Sequence, residues 1–242
     1  MNYQLDVHTH TIASGHAYNT ILEMAQSARD KGLLLLGITE HAPKMPGSCQ
    51  NIYFHNLIVV PRQLCGIELM FGAELNILDY EGHTDLDQRG IERMDLNIAS
   101  LHGLCIAPGS KKENTQAVLG AIYNPYVTII GHPDDGIYPL EYEAIVEAAK
   151  ETGTLLEVNN NSLNPAGARK HTRENLLTML ELCKEYEQPV IMNSDAHVFS
   201  DVGRHDFSEA LISEIGFPEE LIVSRSVEVF KEYISYKKEK SR

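Results

Sequence analysis

Seven short apolar runs recur along this chain, most of them followed by a helix-like stretch. The runs lie at Tyr3–Val7, Leu33–Thr39, Glu68–Ala73, Met94–Ser100, Val127–Ile130, Thr154–Val158 and Pro189–Met192. Helical patterns read at about Asn19–Lys31, Asn114–Tyr123, Leu140–Glu151, Thr172–Tyr186, Phe207–Ile215 and Val227–Tyr236. The runs are rich in Leu, Ile and Val without polar alternation, which marks strands buried on both faces, as in a parallel sheet. About seven βα units in one chain of 242 residues favour a closed or nearly closed α/β barrel. A doubly wound open sheet is the structural runner-up. The length suits one domain, residues 1–242. Apolar residues make up 43% of it and Trp is absent, so the core is aliphatic, filled out by Tyr and Phe.

The ends of these runs carry a second pattern. The first run leads into Asp6-Val7-His8-Thr9-His10, where alternate side chains share a face and two imidazoles can hold one metal ion. His16 lies in the loop that follows. Glu40 and His41 end LLLLGITEH, Glu74 ends ELMFGAE, and His102 ends LNIASLH. His132 follows VTIIG, and Asp195 and His197 follow PVIMN-Ser194. Any one of these alone reads as a hydrogen-bonding loop residue or an ion-pair partner. Seven of the 11 histidines at strand ends are hard to attribute to packing. In an α/β barrel, the carboxyl ends of the strands are where active sites are built. His8, His10, His16, His41, Glu74, His102, His132, Asp195 and His197 therefore form the expected metal-binding set. A catalytic zinc uses about three protein ligands, so this set suits three metals better than one. Nitrogen and oxygen donors without thiolate fit zinc, with manganese or iron as alternatives.

The formal charge of −14, from 34 acidic and 20 basic side chains, argues against binding a nucleic acid backbone. Cys49, Cys65, Cys105 and Cys183 show no CxxC spacing, which argues against a zinc knuckle or a thioredoxin-like motif. No apolar run approaches the ~20 residues of a membrane span, and the N-terminus lacks the basic and apolar parts of a signal peptide. A reducing, cytoplasmic setting is the expectation. The final Lys237-Lys238-Glu239-Lys240-Ser241-Arg242 reads as a solvated, frayed helix end.

The set HxH, a further His, EH, Glu, His, His-Pro and Ser-Asp-x-His resembles the PHP superfamily (polymerase and histidinol phosphatase). It is most similar to the YcdX-like phosphatases within that superfamily. The stretches GITEHAP, NTQAVLGAI, IIGHP, LEVNNNS and NSDAH extend the resemblance over the whole chain. The resemblance implies a distorted (β/α)7 barrel with a trinuclear metal centre at the carboxyl ends of the strands. It implies that His8, His10, Glu74 and Asp195 serve one metal, His16, His41 and His197 a second, and His102 and His132 a third, with Glu74 bridging. It also implies self-association as a homo-oligomer, a trimer by analogy.

Clustered divalent cations suit phosphate ester hydrolysis, because they neutralise charge on the phosphoryl oxygens and acidify a bound water. The expected activity is a metal-dependent phosphomonoesterase on a small phosphorylated substrate, with a metal-bound hydroxide as nucleophile. Glu74 and Asp195 are the expected catalytic carboxylates, and Arg169 is a candidate substrate clamp, since guanidinium matches phosphate oxygens bidentately. Lys170, His171 and Arg204 are weaker candidates of that sort. Asp134 and Asp135 read as loop or capping residues, and Pro43–Gly47 as a pocket wall or lid. The alternatives are a phosphodiesterase or exonuclease, a metal-dependent amidohydrolase, and a catalytically inactive metal-bound scaffold.

Overall fold

The computed structural model describes residues 3–240. Its strands are β1 (Leu5–Asp6), β2 (Leu35–His41), β3 (Gln63–Leu64), β4 (Ile67–Asn76), β5 (Leu96–Ser100), β6 (Ile129–Ile130), β7 (Leu155–Asn159) and β8 (Val190–Asn193). Its helices are α1 (Ile21–Asp30), α2 (Asn51–Asn56), α3 (Gln88–Arg93), α4 (Lys111–Tyr123), α5 (Tyr142–Thr152), α6 (Thr172–Glu185), α7 (Asp206–Glu214) and α8 (Val227–Lys240). Each predicted apolar run overlaps a strand. The order β1-β2-β4-β5-β6-β7-β8 is parallel throughout, with β3 pairing antiparallel to β4 at its start. The two ends of the sheet approach one another: His10 N donates to Ala196 O at 2.9 Å beside an isolated parallel bridge, Thr9 to Ala196. The seven parallel strands thus form a nearly closed barrel, as expected from the βα count.

The residue parity of each strand explains the two cores. Leu36, Ile38, Ile130, Leu156, Val158, Val190 and Met192 face outward and pack with α1, α4, α5 and α6. Leu5, Leu35, Leu96, Ile98, Ile129, Leu155 and Ile191 face inward and fill the barrel. Phe230 and Ile234 of α8 join that inner cluster together with Val223. Val227 N donates to Gln4 Oε1, just before β1, so α8 lies across the amino ends of the strands and closes the barrel there. Side chains nearer the carboxyl ends continue the inner face as polar groups, which places the site at the opposite mouth.

Local chemistry sets the helix starts. Thr20 with Glu23 and Ser110 with Glu113 form capping boxes for α1 and α4. The Ser110 cap starts α4 three residues earlier than the apolar pattern suggested. At Gly37, a Cβ would lie 2.7 Å from Val7 Cα, so the absence of a side chain lets β1 close onto β2.

Two expectations are corrected. The short helices α2 and α3 lie in stretches where no helix was expected. The tail is not a frayed end at Lys237: that side chain is only 4% exposed, and its Nζ donates to Ile122 O at 3.1 Å and Thr154 Oγ1 at 2.6 Å. Ile122 is in the last turn of α4, where a cation satisfies an otherwise orphan carbonyl. Glu239 is exposed; Ser241 and Arg242 lie outside the described residues, as do Met1 and Asn2. Among the described residues no helix is long and apolar enough to cross a membrane.

Candidate metal centre

Glu74 sits at the centre of the site, fully buried at the carboxyl end of β4. Its Oε1 lies 2.9 Å from His132 Nε2, 3.1 Å from His102 Nε2 and 3.4 Å from His8 Nε2. Its Oε2 lies 2.6 Å from His41 Nδ1 and 3.5 Å from His10 Nε2. Five imidazoles from four separate loops or strand ends therefore meet one carboxylate, His8 and His10 sharing the segment after β1. Asp195 joins from the loop after β8, with Oδ1 3.4 Å from His10 Nε2 and 3.6 Å from His8 Nε2. On the other side of His41, His16 Nε2 lies 3.2 Å from both His41 Nε2 and His197 Nε2. All nine residues expected from the sequence are thus drawn together at one mouth of the barrel.

The outer nitrogens of four histidines are anchored. His8 Nδ1 donates to Glu157 Oε1 at 2.8 Å, and His102 Nδ1 to Asn76 Oδ1 at 2.7 Å. His197 Nδ1 donates to Asp195 O at 3.0 Å. His10 Nδ1 donates to Ser14 Oγ at 3.0 Å, and the Ser14 hydroxyl in turn donates to Glu40 Oε2. Each anchor directs the Nε2 lone pair inward, the arrangement that outer hydrogen bonds impose on metal-ligating histidines. Inward, by contrast, His8 Nε2, His10 Nε2, His41 Nδ1 and Glu74 Oε2 are buried with no hydrogen-bond partner. The pair His41 Nδ1 and Glu74 Oε2 is close but not aligned to bond. Four such buried atoms converging at one place are costly unless something binds them. At this mouth three groups of donor atoms lie within 4.8 Å of one another: His8, His10 and Glu74; His10, His41 and His197; and His41, Glu74 and His102. The donor set fits divalent cations by chemistry and by geometry.

The electrostatics agree. Burial alone would raise Glu74, but His41, His102 and His8 hold it well below the ordinary carboxylate range. Burial likewise opposes ionisation of Asp195, and His8 and Arg169 reverse it, again well below. Both carboxylates are therefore ionised at neutral pH. Burial and the neighbouring charges of His41 and His197 push His10 well down, which keeps it neutral. Burial would lower His8 too, yet Glu157, Glu74 and Asp195 raise it well above its usual value, so a cation there displaces a proton. His132 and Asp195 both have positive φ, 30° and 56°, a strained backbone typical of functional sites.

Arg169 is at the site: Nη2 donates to Asp195 Oδ2 at 3.0 Å, and Nη1 to Ser162 Oγ at 3.1 Å and Asn159 Oδ1 at 3.3 Å. It holds one oxygen of Asp195 while the other faces His8 and His10. Glu40 accepts from Thr11, Ser14 and Tyr53 and so braces the first loop. Asp134 is no helix cap: it is buried, accepts from Ser162 Oγ at 3.3 Å, and is raised to about 7 by burial, partly offset by Arg169. Asp135 is a loop residue, accepting from Ile137 N and Lys170 N. Lys44 N is tied to Asp85, and Gly47 packs against Gly15, so Pro43–Gly47 is a wall beside the first loop. Burial raises the thiols of Cys105 to about 11 and of Cys49 and Cys183 to about 12, which keeps them protonated and poor nucleophiles.

Glu157 is the functional group that sequence reasoning passed over. Its Oε1 also accepts from Asn193 Nδ2 at 2.8 Å, and its Oε2 from His132 N at 2.8 Å and Asn159 Nδ2 at 2.9 Å. The available signal was parity: Glu157 shares the inward face of β7 with Leu155, and a fully buried acid there needs partners.

Residues 6–205 match the PHP domain family. A protein of Caldicellulosiruptor saccharolyticus named "Probable phosphatase" is 47% identical over 97% of this chain and 97% of its own length. A protein of the same name from Clostridium botulinum is 43% identical over 98% of this chain and 96% of its own. Among solved structures, the histidinol phosphate phosphatase of Lactococcus lactis, crystallised with zinc, L-histidinol and phosphate, has a TM-score of 0.63. It is 18% identical and covers 90% of this chain and 95% of its own, so it speaks to the fold. With the match spanning nearly every strand and every converging side chain, this chain belongs to the PHP domain family.

Proposed function

We propose that this protein hydrolyses phosphate monoesters of small molecules at a centre of three divalent metal ions, zinc first, with manganese or iron also suited to the donors. One observation carries the reading: a single buried carboxylate, Glu74, within 3.5 Å of five imidazole nitrogens, three of which, on His8, His10 and His41, are buried with no hydrogen-bond partner. His8, His10, Glu74 and Asp195 would hold one ion, His16, His41 and His197 a second, and Glu74, His102 and His132 a third. Bound there, the ions supply positive charge for phosphate oxygens and a water whose pKa falls to near ~7.

The chain's own residues then have distinct tasks. Glu74 spans the centre with its two oxygens. Asp195 presents Oδ1 to the imidazoles and is the candidate proton acceptor. Arg169 keeps Asp195 oriented, and its side chain, about a fifth exposed, carries the guanidinium that can meet a substrate phosphate oxygen. The names of the relatives in Caldicellulosiruptor and Clostridium support a phosphatase, and the Lactococcus structure supports zinc. The four free cysteines support a reducing, cytoplasmic setting. We read residues 1–242 as one PHP domain.

The test strips the protein of metal, reloads it with zinc or manganese, and measures hydrolysis of an aryl phosphomonoester beside the matching diester. Monoester turnover that chelator abolishes is the expected result. Turnover of the diester alone replaces this reading with a phosphodiesterase; silence on both, with metal bound, removes the phosphatase.

A further inference from the structure

A cavity of about 230 Å³ opens beside Asp195 and His197, between the loop after β7 and the loop after β8. Its outer walls include Asn161, Asn164, Asp201, Arg204 and Phe207. Two other wall groups are committed to the scaffold. Asn160 Oδ1 accepts from Phe207 N and Ser208 N, both at 3.0 Å, and Ser194 Oγ donates to Asp6. These bonds fix the loops, as does Asn164 Oδ1, which accepts from Ala166 N at 3.0 Å, and leave Asn161, Asp201 and the Asn164 amide nitrogen for what enters. The Arg204 guanidinium is also fixed: Nε and Nη2 donate to Asp206 at 2.9 Å and 3.0 Å, and its plane rests 4.9 Å from the Phe207 ring centre. Asp201 lies beside it, with Oδ1 3.8 Å from Arg204 Nη1.

We propose that this cavity holds the alcohol part of the substrate, and that this alcohol is polyhydroxylated, a sugar or short polyol carrying the phosphate. The inference rests on the phosphatase reading and adds the substrate class. Size is the first argument, since the cavity falls just below the ~300–1,000 Å³ of pockets for drug-sized ligands. It suits one small ring or a short chain. Chemistry is the second. The amide and carboxylate groups are planar and present polar atoms side by side, and Arg204 adds its remaining Nη1 donor, which matches adjacent hydroxyls on neighbouring carbons. The Phe207 ring offers one apolar face for the carbon side of such a ligand. An aryl or acyl group would desolvate these polar walls without replacing their hydrogen bonds, which a site of this kind rejects. Position is the third argument: Asp195 and His197 belong both to the metal centre and to this cavity, so a phosphate held at one places its alcohol in the other.

The experiment compares kcat/KM for glucose 6-phosphate, glycerol phosphate and phenyl phosphate, using metal-loaded wild type, Asn161→Ala and Arg204→Leu. Wild type is expected to prefer the hydroxylated esters. In Asn161→Ala the ratio of hydroxylated to phenyl ester is expected to fall about tenfold, the size of one lost hydrogen bond, mainly through KM. Arg204→Leu is expected to move the ratio in the same direction, with thermal melts confirming that both variants fold. A wild-type preference for phenyl phosphate overturns the inference, as does an equal loss on all three esters in folded variants. Phenyl turnover without discrimination sinks this inference alone; no turnover of any ester sinks the phosphatase reading and this inference with it.

Discussion

At the scale of single residues, the site is built in two layers that fail differently. Asp195 touches the imidazoles directly, so Asp195→Asn removes an ionised donor where two histidines and Arg169 converge. Turnover is expected to vanish; full activity with intact metal content refutes its role. Glu157 acts one step back, through His8 Nδ1 and the His132 backbone. Glu157→Gln keeps the shape but gives up the charge, and loss of such an outer partner typically weakens metal affinity or activity ~10–100-fold. Competition with a chromophoric chelator reads this directly, and wild-type affinity in the variant sinks the argument. The nine inner residues were legible because imidazole and carboxylate stand out at the ends of apolar runs. Their outer partners, Asn76, Ser14 and Glu157, were not legible: small polar groups and a mid-strand acid become visible only when the strand's inward face is known.

Among the elements, α8 contributes most beyond its own length. Phe230 is fully buried in the inner cluster against the starts of the strands. Phe230→Ala leaves a cavity under a nearly closed barrel that has little freedom to collapse, and such deletions cost ~3–5 kcal/mol. Chemical denaturation should show that loss, and a change below ~1 kcal/mol would mean that α8 is not the closure. Lys237 extends the same helix into a polar role. Lys237→Ala leaves Ile122 O and Thr154 Oγ1 without that donor, at a cost of ~1–3 kcal/mol. The apolar runs disclosed the seven parallel strands, because their short length and alternation with helical stretches mark βα units, whereas the two-residue β3 falls in none of them. They disclosed neither α2 nor α3, six-residue helices held by contacts such as His55 and Asn51 with Asp87 rather than by an apolar stripe. The fate of Lys237 was hidden for a related reason, since a Lys-rich end reads as solvated until α4 and β7 are placed beside it.

Across the whole molecule, stability and chemistry meet at opposite ends of one barrel. The amino end is sealed by hydrocarbon, whereas the carboxyl end gathers seven imidazoles and two ionised carboxylates from strand ends, as at His41 and Glu74, and from the loops beyond them. Cations bound there would cross-link the first loop, through His10 and His16, to the last, through Asp195 and His197. Those two loops also meet through Tyr18 N to His197 O at 3.0 Å and Phe199 N to Asn19 Oδ1 at 2.8 Å. Because the site cannot be assembled in the unfolded chain, metal affinity adds to folding stability. Free metal at 100 times its dissociation constant stabilises by about 2.7 kcal/mol for one site. For a chain of this size that is a rise in Tm of roughly 5–10 °C, and more if several ions bind. Chelation should therefore lower Tm by at least that amount, and zinc or manganese should restore it, with magnesium much less effective on a nitrogen-rich donor set. The readout needs no substrate, so it separates the metal centre from the reaction. An unchanged Tm after verified metal removal would leave the converging donors without the cations that their burial demands.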